Sequence, residues 1–345
     1  VSALALALLC GLVPGWLLFL LYRTQIGNRM NQAFRDVGPE SHKRKGRVPT
    51  GAGIVFVLAC AGLAAWAWFS SSDVATAAIF AASALMGLLG FIDDRAKVKG
   101  GSAGLKARFK FPAMLICGAT LLLVLRLDTL HHWQNAYYMD NWTMELPVPV
   151  YYLLGLFIWL GALNGSNFTD GLDGLHGSTS IPVLLLILLL FGMYPYGLSV
   201  AVFLGLILAF LLFNWKPARI YMGDSGSLCI GALVAGVFLS SIWWLFLGLL
   251  AIIWVLEVLS VMIQVVYYRV TKGKRLFLMT PVHHHFELAG WKEIHIVYLF
   301  TGFQAWGCFS AWLWLEQGLA WGLASSLLLL GSFIALVLRY NKRVA

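Results

Sequence analysis

Five aspartates interrupt an otherwise apolar chain at three points: Asp93 with Asp94, Asp170 with Asp173, and Asp224. A run of three histidines, His283, His284 and His285, follows further on. When the apolar stretches between them are counted as membrane crossings, all of these residues fall on one side. Acids, histidines and lysines gathered at one lipid-water boundary suit a metal-dependent reaction on phosphates.

Each motif carries its own expectation. In GFIDDRAKVKG, neighbouring side chains on a helix point about 100° apart, so Asp93 and Asp94 cannot meet one ion in the same way. One is expected to face the metal or the nucleophile while the other orients a lysine; a lone pair of acids would only cap charges in a loop. In LNGSNFTDGLDGL, Asn167, Asp170 and Asp173 are spaced by three and are expected to share one helix face. Gly171 and Gly174 would let a backbone or a phosphate come close. Such an acidic stripe beside a membrane is costly unless it binds something. In YMGDSGSL an acid precedes small polar residues and an apolar helix beginning near Ser227. Asp224 is placed to cap that helix, whose free N–H groups welcome an anion. Taken with the other acids it becomes a candidate ligand for Mg²⁺, which prefers a few carboxylates plus phosphate oxygens and water.

The loop KGKRLFLMTPVHHHFELAGW places Lys272, Lys274 and Arg275 ahead of the histidines. Adjacent imidazoles alternate in direction if extended, and the i, i+4 pairing of zinc sites is absent. Contacts to phosphate or sugar are expected instead, on an element that Pro281, Phe286, Leu288 and Trp291 mark as packed or membrane-apposed. In GPESHKRKGRVPTGAG, Lys45 and Thr50 are candidates to hold phosphate, as are Lys106, Arg108 and Lys110 in the next loop. Glu257, inside an apolar run, reads as a proton-carrying site or as a carboxyl paired with Gln264 on the same helix. His131 and His132 fall on the opposite face and read as loop residues.

Helices must position these side chains. Of 345 residues, 60% are hydrophobic and 11% charged, outside the balance of a soluble domain. Apolar stretches fall near residues 1–22, 52–69, 74–92, 109–127, 150–163, 178–194, 196–213, 297–315 and 319–338. The run 227–267 carries only Glu257 as a formal charge and is too long for one span, so it is divided near Ser240 and Ser241. The expected fold is an all-α polytopic membrane protein, one domain over residues 1–345, with about ten or eleven transmembrane helices and cytoplasmic active-site loops. Helices satisfy their own backbone, and no strand pattern here closes a barrel. The first stretch lacks a basic n-region and a small-residue cleavage site, and reads as a retained helix.

With alternating spans, every Lys and Arg except Arg126 falls in loops on one face, which the positive-inside rule makes cytoplasmic. The net charge of +9 is therefore chiefly topological, with attraction of anionic lipid and phosphate added; no nucleic-acid partner is implied. Cys10, Cys60, Cys117, Cys229 and Cys308 make no metal-ligand spacing and read as packing residues. An ion-coupled transporter is the reading from another class, and it requires acids facing each other in mid-membrane.

With these residues in hand, the chain resembles the polyprenyl-phosphate N-acetylhexosamine-1-phosphate transferase superfamily. Within it, the chain looks most like the phospho-N-acetylmuramoyl-pentapeptide transferase (MraY) family. The resemblance runs from near Gly38 to Glu293 through GPESHKRKG, GFIDD, NFTDGLDGL, FNWKPARIYMGDSGSL, EVLSVMIQV and PVHHHFELAGW. The triple histidine followed by FE points to the muramoyl-pentapeptide branch. The resemblance implies transfer of phospho-N-acetylmuramoyl-pentapeptide from its UDP-linked donor to undecaprenyl phosphate, releasing UMP and forming lipid I, with Mg²⁺, at the cytoplasmic face of the bacterial inner membrane. It also implies a homodimer.

By motif, the resemblance makes Asp224 the Mg²⁺ ligand and places Asp93 and Asp94 near the lipid phosphate. Asp170 and His283 join them as catalytic residues. Lys45, Thr50 and Lys110 correspond to phosphate contacts, and Tyr221 to an aromatic stacked on uracil. Asn164, Asn167, Asp173, Gln264, His284 and His285 complete the substrate-binding set. The chain departs from the family pattern in RVPTGAG for GTPTMGG, in NGSN for NAVN, in His176 for a small residue, and in a span beyond the usual ten. These differences leave UDP-N-acetylglucosamine open as the donor. Direct attack by the lipid phosphate and a two-step route through an aspartyl-phosphate on Asp94 or Asp170 are both open.

Overall fold

The computed structural model describes residues 2–27, 30, 48–100, 104–132, 146–192, 195–241 and 246–341. Lys45 lies outside the described residues. Among the described residues there is no strand, and the helices run in chain order as α1 (Ser2–Leu21), α2 (Ile54–Trp66), α3 (Val74–Gly100), α4 (Ala107–His132), α5 (Val148–Thr169), α6 (Leu175–Phe191), α7 (Pro195–Asn214), α8 (Gly223–Leu239), α9 (Leu247–Leu250), α10 (Ile252–Val270), α11 (Val282–Leu288), α12 (Glu293–Glu316) and α13 (Leu319–Asn341). π-helical turns extend α1 and α2. Among the described residues eight helices are long and apolar enough to cross a membrane, and three shorter apolar ones cover Ile54–Ser70, Leu175–Leu190 and Gly223–Leu239. The chain is a multi-pass membrane protein built from helices.

One of the short helices, α8, is the axis of the bundle. Every residue from Ser225 to Leu239 is buried, as a helix apolar on all sides requires. Its small residues let neighbours come close: a Cβ at Gly231 would lie 2.9 Å from Ser166 Cβ on α5, and one at Gly236 2.9 Å from Ile79 on α3. Phe19, Phe56, Phe203 and Phe210 knit α1, α2 and α7 with ring centroids 5.4 to 5.6 Å apart.

A second apolar cluster joins α10, α11, α12 and α13 through Ile253, Val282, Phe286, Phe300 and Phe333. The last helix covers α11 directly, with Phe286 6.3 Å from Phe333 and Trp291 5.3 Å from Tyr340, ring to ring. The helix α13 thus buttresses the segment that carries the histidines. Where the chain breaks between α9 and α10, Gln304 of α12 takes over the lost backbone bonding. It donates to the Leu250 carbonyl and accepts from Ile253 N–H at 3.2 Å.

Candidate active site

The close meeting of α3 and α8 creates the site. A Cβ on Gly90 would collide with the Asp224 carbonyl, and one on Gly87 would come within 2.9 Å of the Ser225 carbonyl. One turn beyond Gly90, the paired aspartates reach the start of α8. That start has no side-chain cap of its own, and the first N–H groups of a helix need acceptors. Asp94 supplies them from another helix, accepting from Asp224 N–H and Ser225 N–H at 3.0 Å each. Both of its oxygens are engaged and it is only 2% exposed. Gly223 must be glycine here: its φ is +69°, and a Cβ would run into Asp94 and lie 2.8 Å from Thr50 Oγ1. Thr50 arrives because Ala52 and Gly53 donate to the Tyr221 and Met222 carbonyls at 3.0 Å.

Asp93 points the other way. It accepts from Leu105 N–H, meets Lys97 Nζ at 2.7 Å and lies 3.4 Å from Lys110 Nζ. The same two lysines reach Asp224, Lys97 at 2.8 Å and Lys110 in a close ion pair. Asp224 is the open member of the group, with its side chain 14% exposed against 4% for Asp93. Asp170 closes the ring by accepting from Gly223 N–H; burial, with the charges of Asp94 and Asp224 added, pushes its carboxyl well above the usual range.

Four carboxyl groups converge with only two ammonium groups to offset them, a surplus of acid that suits a divalent cation. Among the described residues no three His, Cys, Asp or Glu side chains form a ready-made cage. That donor set fits Mg²⁺, which takes one or two carboxylates and leaves positions for substrate phosphates, better than zinc, which demands a closed protein shell or three protein ligands.

The remaining candidates divide. The expected acidic stripe is broken: α5 ends at Thr169 and the chain turns through 170–174, where Gly174 has a φ of +80°. Asn167 stays on the helix and donates to Ser227 Oγ at 2.9 Å. Asp173, within that turn, takes other partners than Asp170 does, accepting from Ala218 N–H at 3.1 Å and Tyr221 O–H at 3.2 Å. Burial and Asp173 together raise the Tyr221 hydroxyl well above the tyrosine range. Asn164 donates to Leu160 O within its own helix at 2.7 Å. Lys106 and Arg108 are exposed, Arg108 lying 4.9 Å over the Phe109 ring.

Glu257 does not pair with Gln264. Its carboxylate, fully buried, takes His283 Nδ1 at 3.0 Å, whereas Gln264 accepts from Leu276 and Phe277 N–H at 3.0 and 2.9 Å and shapes the turn after α10. The histidines form a helical turn, not an extended run: the His283 and His284 rings lie 4.1 Å apart, tilted by 57°, while His285 turns toward Phe277 and Phe286. His283 abuts Gly171, where a Cβ would lie 2.6 Å from its Cε1. His284 bonds Glu287 at 2.7 Å. His285 packs against Phe277 and Phe286, accepts from Leu278 N–H at 3.3 Å, and is held below its ordinary pKa by burial. Of the three, His283 is the one brought against the acidic turn.

Lys97 was not singled out in the sequence, although DDRAKVK places it three and four residues after the acids, at ion-pair spacing. An oriented lysine was expected; its number follows from that spacing. Ser166 and His176 are marked in the sequence only as departures from the family pattern, and Ser227 only as a helix start; nothing there shows that they meet.

A family model described as Glycosyl transferase family 4 matches residues 76–242. The phospho-N-acetylmuramoyl-pentapeptide-transferase of Listeria welshimeri is 38% identical over 288 residues, covering 79% of this chain and 86% of that protein. The one from Carboxydothermus hydrogenoformans is 37% identical over 286 residues, with 79% and 86% covered. That of Geobacillus thermodenitrificans is 36% identical over 288 residues, with 79% and 85% covered.

Proposed function

The chain belongs to the phospho-N-acetylmuramoyl-pentapeptide transferase family and is a membrane phosphotransferase; from that premise we propose the reaction its acid and lysine cluster performs. Phospho-N-acetylmuramoyl-pentapeptide passes from the UDP-linked donor to undecaprenyl phosphate, giving lipid I and UMP. The carrying observation is the convergence of Asp93, Asp94, Asp170 and Asp224 with Lys97 and Lys110 at one end of the helices. Acids gathered at helix ends also count against a transporter, which needs them at mid-depth. The positive-inside rule applied to the basic loops supports a cytoplasmic position for that end, at the bacterial inner membrane, and the active unit we propose is a homodimer.

A phosphate monoester has its second pKa near 6, so the lipid nucleophile is already dianionic at neutral pH and needs no strong base. Its oxygen bonds to the sugar-linked phosphorus of the donor, and the bond from that phosphorus to UMP breaks. Bringing two anions together is the harder problem. Lys97 and Lys110 meet it with fixed ammonium groups beside the transferred phosphoryl. Mg²⁺ on Asp224 would neutralise the diphosphate and the leaving UMP. Asp94 holds the turn that presents Asp224, and Thr50 and Lys45 hold donor phosphates. Tyr221, tethered through its hydroxyl to Asp173, offers its ring to uracil. His283, oriented by Glu257, faces the acidic turn with its other nitrogen.

Purified protein is assayed for UMP release with Mg²⁺ or EDTA, and with UDP-muramoyl-pentapeptide or UDP-N-acetylglucosamine as donor. The expected result is Mg²⁺-dependent release with the muramoyl donor, abolished by Asp224→Ala. Full activity of that variant defeats the metal assignment. Turnover of the N-acetylglucosamine donor alone moves the protein to the other branch. A phospho-enzyme trapped without lipid acceptor would replace direct attack by the two-step route.

A further inference from the structure

One helical turn below the acids lies a buried relay that the reaction above does not use. Ser166 on α5, His176 on α6 and Ser227 on α8 are each no more than 1% exposed. Ser166 Oγ donates to the Ser227 carbonyl at 2.5 Å and lies 2.8 Å from His176 Nε2. A serine hydroxyl has a single proton. With that proton given to Ser227, Ser166 must accept from His176, which makes the imidazole the Nε2–H tautomer. The other nitrogen, Nδ1, has no partner among the described residues, and the ring is held beside Trp254 at 5.3 Å between centroids.

The relay ends on the helical turn that matters. Ser227 Oγ donates to the Gly223 carbonyl at 3.1 Å and accepts from Asn167. Its two polar groups thereby tie the first turn of α8, which carries Asp224, to the last turn of α5, which leads to Asp170. His176 joins this tie from α6, the helix entered from the Asp173 turn. Three segments that deliver acids to the site therefore meet at one hydrogen-bonded knot.

We infer that His176 is a positioning residue, acting through Ser166 as a neutral donor to hold the first turn of α8 and Asp224 in register with Asp170. The inference rests on the transferase reading for its kinetic test alone. A glutamine amide can stand where Nε2–H stands, whereas an asparagine reaches only the place of Nδ1.

The full-length protein in detergent is measured for kcat, KM and thermal unfolding, with cryo-EM or crystal structures of the variants. His176→Asn lowers kcat about tenfold, the scale of losing a partner behind a metal-binding group. KM for the UDP-linked donor changes less than about twofold, since no group that touches the donor is removed. His176→Gln recovers wild-type kcat, and only the Asn variant shows the α8 turn displaced from Asn167. Equal kcat in both variants, or a fall in unfolding temperature with kcat unchanged, overturns the inference. An unmoved α8 turn in the Asn variant overturns it whatever the activity. Absence of UMP release by the unaltered protein refutes the transferase reading instead, and the structures still decide the role of His176.

Discussion

Lys97 and Asp94 are three residues apart on one helix and do different work. The Lys97 ammonium bridges Asp93 and Asp224, at 2.7 and 2.8 Å, so it holds positive charge where two helices bring acids together. Lys97→Met should lower UMP release by about 10²- to 10³-fold, the scale of removing one charge-stabilising donor. Lys97→Arg should not restore it, because a planar guanidinium does not replace a compact ammonium between two carboxylates. Initial rates with both substrates saturating decide this, and activity near that of the unaltered protein would remove Lys97 from the site. Asp94 spends both oxygens on backbone amides, so Asp94→Asn should cost stability as well as turnover. Loss of a helix cap costs about 1 kcal/mol, and thermal unfolding in detergent should fall further for Asp94→Asn than for Asp224→Asn. The reverse order would show that Asp94 is not the cap. The sequence places the two acids side by side but is silent on which caps α8, since that depends on how α3 is rotated against it.

At the scale of elements, contact between α3 and α8 is made by glycines that touch no substrate. Gly90→Ala puts a Cβ 2.6 Å from the Ser225 nitrogen, and backbone cannot swing aside as a side chain can. Turnover should drop by about a hundredfold, the cost of misplacing a site by about 1 Å; unchanged turnover would mean that the helices adjust freely. The short helix α11 gives a pH signature. His285 accepts an amide proton on Nδ1 and must be neutral to do so, and burial lowers its pKa. The folded chain then binds fewer protons here than the unfolded chain, whose histidine titrates near about 6.5. This contribution is complete above that value and lost as pH falls through it toward the folded pKa. Unfolding temperature measured from pH 8 to pH 5 should decline on the acid side, and His285→Leu should flatten that decline. A parallel decline in both proteins would exclude His285 as its source. Composition marked α11 as packed through Pro281, Phe286 and Trp291, yet its helical form could not be read from three adjacent histidines.

For the whole molecule, the proposed orientation puts every acid of the site on the cytoplasmic side. In a cysteine-free background, Lys272→Cys should react with a membrane-impermeant maleimide in inside-out vesicles and not in right-side-out ones. His132→Cys, on the face opposite in the sequence reading, should do the opposite, and the reverse pattern would move the reaction to the other face.

The sequence by itself determined the class, the positions of the apolar helices, and the grouping of acids and basic loops at one boundary. Those are local or additive properties: a length of apolar residues, a charge between two spans, a glycine at a turn. Only the tertiary structure decided which acids face each other. Asp94 meets the N–H of a residue 130 positions away, Glu257 chooses His283 over Gln264, and Asp170 and Asp173 take separate partners within one turn. Each of these depends on the rotation and approach of helices remote in sequence, which side-chain volume at residues such as Gly90 and Gly231 sets and hydropathy does not record.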